Sequence, residues 1–185
     1  ALTKPATLAA RQFNATLYAG HPYGNNSTPE SLAAIGRDDL VLGIYQKKDY
    51  PGGGYMVEQG ATTMWEQRNG YWSQIHSCFT SPGGWFYQGL AGIRPDPSGP
   101  GFQAILIKPA VVGDLTWVKA SHDSIHGRIL SHWQREGDQL TLDVKIPPNT
   151  TAMVHLPAAN AASVLEGRGP AMKARGITGF RMQDD

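Results

Sequence analysis

Residues 50–96 read YPGGGYMVEQGATTMWEQRNGYWSQIHSCFTSPGGWFYQGLAGIRPD, and the chain changes character across them. Before this stretch the apolar residues recur at helical spacing; after it they alternate at a period of two. The stretch holds Trp65, Trp72 and Trp85, the single cysteine Cys78, and Glu66 set between aromatic and polar residues. His76 follows Glu66 by ten positions. A carboxylate among tryptophans suits a sugar site, because an aromatic face stacks on the apolar face of a pyranose while the carboxylate handles protons and hydroxyls. The plainer reading of the same residues is packed rings beside a solvated charge.

Upstream, residues 6–19 place Leu8, Phe13, Leu17 and Tyr18 near one helical face. Gly20 to Asn26 break that helix with turn residues. Thr28-Pro29-Glu30 predicts a new start, with threonine as cap and proline at the first helical position. Residues 37–40 restart a helical pattern, and residues 41–50 form a short amphipathic segment. Residues 51–54 form a glycine-rich loop, and residues 56–67 are expected at the edge of a helix. From Ser81 a capped helix is predicted to run to Ala91, with Phe86, Leu90 and Ile93 inward. Residues 94–101 form a proline-rich connector and the expected domain boundary.

Downstream, residues 104–108, 116–122 and 124–134 are rich in strand formers, with turns at 136–138 and 147–149. Leu140, Leu142, Val144 and Ile146 alternate with polar residues, as do Ala152, Val154 and Leu156. An edge strand is predicted within residues 176–182. The expected class is α+β: a helical segment over residues 1–95, then an antiparallel β-sandwich over residues 102–185.

Composition narrows the function classes. A net charge of +1 argues against nucleic acid as a partner, and no run of about 18 apolar residues encodes a membrane span. One cysteine cannot form an internal disulfide, and free cysteine is usually a small buried apolar residue. On one strand His122, His126 and His132 would share a face without converging unless a turn intervened, for which Ser124-Ile125 is a weak signal, and a lone His21 cannot supply a zinc ligand set. No metal and no cofactor are expected.

GATTMWE at 60–66, SQIHSCFTSPGGWFYQGLAGIRPDPSGPGF at 73–102 and LTWVKASHDSIHGRILSHWQREGDQLTLDVKIPPNTTAMVHLPA at 115–158 resemble the C-terminal part of bacterial α-L-rhamnosidases of glycoside hydrolase family 78. The resemblance covers about residues 45–185. It implies that residues 41–95 are a fragment of an (α/α)6 barrel. It further implies that Glu66 is the general base of an inverting glycosidase and that His76 lines the sugar pocket, with Trp65, Trp72 and Trp85 as candidate stacking platforms. Gly53 stands where that family usually carries a tryptophan. The opening, TLYAGHPYGNNSTPESLAAIGRDDL, resembles an internal stretch of pitrilysin/insulinase-type zinc peptidases whose inverted HxxEH motif is absent here. The chain thus reads as a join of two families near residues 39–45.

An inverting pair needs a second carboxyl roughly 6.5 to 9.5 Å from the base. The family's acid comes from a segment upstream of GATTMWE, where Glu30, Asp38 and Asp39 match no family motif. Glu58, eight residues before Glu66 on one helix, would lie about 12 Å away along its axis. The expected function is hydrolysis or binding of terminal α-L-rhamnosides. The alternatives are a non-catalytic sugar-binding or structural module, or an unrelated hydrolase activity of the joined chain, for which no GxSxG elbow speaks. Expected partners are a rhamnoside and a second copy covering the open barrel face, in a soluble bacterial protein, either cytoplasmic or secreted with its signal removed.

Overall fold

A computed structural model describes residues 24–77 and 81–183. The helix predicted at 6–19, His21 and Cys78 lie outside the described residues. The chain divides into one compact unit ending at Val154 and a second covering His155–Asp185.

The first unit opens with helix α1 (Gly24–Ala34) and helix α2 (Asp38–Gln46). The first helix begins four residues before the predicted threonine cap, so Pro29 sits inside it rather than at its first position. A proline there removes one backbone bond and frees a carbonyl one turn earlier. Helix α2 carries Asp38 and Asp39 in its first turn, where carboxylates complement the helix dipole, and buries Val41, Leu42 and Ile44. Arg37 grips Asp39 through two 2.8 Å bonds. The hydrogen bond from Arg37 holds the Asp39 carboxyl below its ordinary range. The contribution of that pair is therefore present above the usual carboxylate pKa and is lost as pH falls through the depressed one.

Helix α3 (Gly53–Glu58) ends at Gln59, and Gly60 turns left-handed at φ 83°. Residues 61–77 are therefore an irregular loop and not the continuation of a helix. Helix α4 (Ser81–Trp85) widens into a π turn over Phe86–Leu90. In a π turn, residues five apart share a face. Trp85 and Leu90 are accordingly buried together, while Phe86, predicted inward, is half-exposed.

In the first unit the described strands form two three-stranded sheets. Strand β1 (Ile93–Pro95) pairs antiparallel with β2 (Ala104–Ile107), and β2 pairs parallel with β6 (Thr151–Val154). Strands β3 (Trp117–Ser124), β4 (Gly127–Glu136) and β5 (Gln139–Lys145) form an antiparallel meander. The proline-rich connector contributes its first residues to β1, an edge strand, where Pro95 leaves no ladder bond unmade. The parallel β2·β6 pair departs from the all-antiparallel expectation, because the chain returns to β2 only after the whole meander. Ile93, Ile105 and Ile107 of one sheet and Ile129 of the other form a single buried cluster, against which Val118, Ala120, Leu142 and Ala152 pack.

Two side chains of β4 reach the helical segment. Ser131 donates to the carbonyl of Ala91 at 2.6 Å, and Trp133 Nε1 donates to the carbonyl of Leu90 at 2.8 Å. These carbonyls close a helix whose last acceptors have no partner within it. The sheet thus caps the helix.

In the second unit, Asn160 caps a short 3-10 turn by accepting from Ser163 N, and a two-stranded ribbon, β7 (Leu165–Glu166) and β8 (Gly169–Pro170), follows. Residues 176–182, predicted as an edge strand, form no strand. Among the described residues no helix is long and apolar enough to cross a membrane.

Candidate functional site

The loop after Gly60 folds back on itself. Glu66 N donates to Ser73 O at 2.8 Å, and His76 N donates to Met64 O at 2.8 Å. Thr63 Oγ1 adds a bond to the carbonyl of Gln74. These cross-links bring together two residues ten positions apart. His76 Nδ1 lies 3.4 Å from Glu66 Oε2, and the backbone N–H of Ser73 donates to the same oxygen at 3.3 Å. Both side chains are only about a quarter exposed, Glu66 at 21% and His76 at 27%. A half-shielded carboxylate held through one oxygen keeps the other for a further partner.

The three candidate tryptophans part company. The Trp65 ring lies beneath Gly70, where an added Cβ would meet it at 3.0 Å, so it supports the turn from inside. Trp72 stands on the rim, 63% exposed, at a left-handed φ of 68°. Trp85 is not a platform: it is 2% exposed, lies against Tyr45, and donates from Nε1 to Asp38 Oδ1 at 2.7 Å. Its face is spent on the core. Replacing Asp38 with alanine is expected to cost about 1–3 kcal/mol by leaving that buried N–H unpaired. A urea melt showing no loss would remove Asp38 from the core.

Other carboxylates are engaged locally. Asp39 pairs with Arg37, and Glu58 pairs with Lys48 at 2.7 Å on the surface. Since Glu58 ends its helix and Glu66 lies in the loop, the helical separation expected between them does not apply. Gly53 is buried, and a Cβ there would fall 2.7 Å from the Tyr45 ring and 3.2 Å from Arg68 Nη1. An aromatic side chain at this position would therefore have to displace both. Arg68, 7% exposed and two residues beyond Glu66, was not singled out by its sequence, because nothing in RNG marks an arginine for burial. On the meander, His122 packs against Phe102 with ring centroids 4.7 Å apart, and His132 stands opposite Asp143. Among the described residues no group of three metal-ligating side chains converges.

Residues 7–90 match the model of the bacterial alpha-L-rhamnosidase six-hairpin glycosidase domain, and residues 92–169 match that of the bacterial alpha-L-rhamnosidase C-terminal domain. The first match takes in residues 7–40, for which a likeness to zinc peptidases is not shown. An alpha-L-rhamnosidase of Streptomyces avermitilis is 30% identical over 165 residues, covering 80% of this chain and 15% of that protein. One from Formosa agariphila is 32% identical over 146 residues, covering 73% and 16%. Among solved structures, the Streptomyces avermitilis enzyme complexed with L-rhamnose aligns with a TM-score of 0.69 at 30% identity, over 75% of this chain and 14% of that one. The alpha-L-rhamnosidase from Dictyoglumus thermophilum aligns with a TM-score of 0.73 at 31% identity, over 84% and 18%. The chain spans about a sixth of the length of the curated relatives it matches, and over that part it is related to the alpha-L-rhamnosidases.

Proposed function

We propose that this chain carries the base half of a rhamnoside-hydrolysing site, with Glu66 as general base and His76 beside it. The observation that carries the reading is that Glu66 Oε2 accepts from the Ser73 N–H and lies 3.4 Å from His76 Nδ1, which leaves Oε1 to accept a proton from water. In an inverting reaction that water attacks the anomeric carbon as a second carboxylic acid protonates the departing oxygen. The kinship with rhamnosidases, one of them solved with L-rhamnose, supports a terminal α-L-rhamnoside as the sugar.

Asp38, Asp39 and Glu58 each hold a local partner, which supports an acid supplied from outside that set. A second copy of the chain, or the polypeptide that corresponds to the rest of its relatives, is the proposed source. The same engagement of carboxylates favours one other reading, a module that binds sugar without turnover.

Release of 4-nitrophenol from 4-nitrophenyl α-L-rhamnoside separates the two. Glu66→Gln is expected to lower the rate by about 10²–10⁴-fold, the range for a lost general base. Turnover unchanged in Glu66→Gln would overturn the assignment of Glu66. Turnover by neither protein, with L-rhamnose still bound, would leave the binding module.

A further inference from the structure

The loop that holds Glu66 also displays two aromatic rings that its own packing does not use. Tyr71 is 62% exposed and Trp72 is 63% exposed, with ring centroids 5.7 Å apart and planes tilted by 44°. The turn that projects them is built. Tyr71 N donates to Asn69 Oδ1 at 3.0 Å, Gln74 Nε2 donates to Gly70 O at 3.1 Å, and the Trp65 ring fills the space beneath Gly70. Trp72 holds φ 68°, a conformation that a bulky residue adopts only when its surroundings impose it. The next residue, Ser73, is the one whose N–H grips the Glu66 carboxylate.

The pair is therefore continuous with the candidate site but differs from it in solvent exposure. A terminal sugar acted on at Glu66 has to sit where that carboxylate is shielded. Rings more than three-fifths exposed lie on the rim outside it. Apolar faces kept in water beside a carbohydrate site suit a flat ring with C–H or π faces, and not an ion or an aliphatic chain.

We propose that Tyr71 and Trp72 form an outer subsite that stacks against a second ring of the glycoside, a sugar or aryl group attached to the terminal rhamnosyl unit. The proposal rests on the reading of Glu66 for the identity of that terminal sugar, and it names the ligand as a two-ring glycoside. Selectivity arises because a glycoside with a small aglycone leaves these rings in water.

The test compares binding of methyl α-L-rhamnoside and 4-nitrophenyl α-L-rhamnoside, by calorimetry, to the Glu66→Gln protein, which removes turnover from the measurement. Tyr71→Ala and Trp72→Ala are each expected to weaken the aryl glycoside about three- to tenfold, as for loss of one aromatic contact, and to shift the methyl glycoside less than twofold. Trp72→Phe is expected to restore most of the aryl preference, which a merely structural role for Trp72 would not. Equal weakening of both ligands, or no change in either, overturns the proposal, as does the absence of aryl glycoside binding before substitution. The 4-nitrophenol assay reports on Glu66 separately. Aryl binding that depends on these rings without any turnover would keep the subsite and discard the base. Glu66-dependent turnover with no ring preference would do the reverse.

Discussion

Gly92→Ala is expected to destabilise the first unit by roughly 2–5 kcal/mol. Gly92 ends the π turn at φ 71°, where an L-residue with a Cβ loses about 1–2 kcal/mol. The added carbon would also stand 2.2 Å from the carbonyl carbon of Lys108 and 2.3 Å from Pro109 N. Those are backbone atoms, and they are tied in place. Lys108 N donates to Gly92 O at 3.0 Å, and Ala110 N donates to Gly89 O at 2.9 Å. The helix end and the strand end cannot separate without breaking both bonds. Urea denaturation checks the prediction, with Gly83→Ala as control. Gly83 is helical, has open space where its Cβ would go, and should gain about 0.5–1 kcal/mol on substitution. Equal stability of the two variants would mean that helix and sheet do not meet at Gly92.

The second large effect is expected at Trp133. The side chain is 1% exposed and donates to the carbonyl of Leu90, so it fills space and satisfies a helix-end acceptor at once. Trp133→Ala is expected to cost about 3–5 kcal/mol, the range for deleting a buried large aromatic side chain. Trp133→Phe keeps much of the ring and loses the N–H, so its cost should be about 1–3 kcal/mol, that of an acceptor left unpaired. The ratio between the two variants tells packing from hydrogen bonding. If Trp133→Ala cost less than about 1 kcal/mol, the clamp of β4 on the helix end would be refuted.

Glu66 and His76 could be singled out together from sequence because they lie in one short stretch of recognisable composition. What joins them could not. The bonds between Glu66 and Ser73 and between His76 and Met64 are made by backbone groups, and a backbone group carries no residue signature. The same limit explains Trp85. Its neighbours in sequence are glycine and phenylalanine, and its burial depends on Asp38, 47 residues earlier. Trp72 and Trp85 are equivalent as letters and opposite as surfaces.

By itself the sequence determined the mix of helix and antiparallel sheet, the strand-forming runs that become β3, β4 and β5, and the turns at Gly137 and Asn149. Each follows from local periodicity and backbone preference, which a chain expresses wherever it is placed. Only the tertiary structure decided that β6 pairs parallel with β2 and that Ser131 and Trp133 close the helix end. Those features depend on which distant groups satisfy a buried N–H or carbonyl. That choice is settled by the whole packed chain and not by any stretch of it.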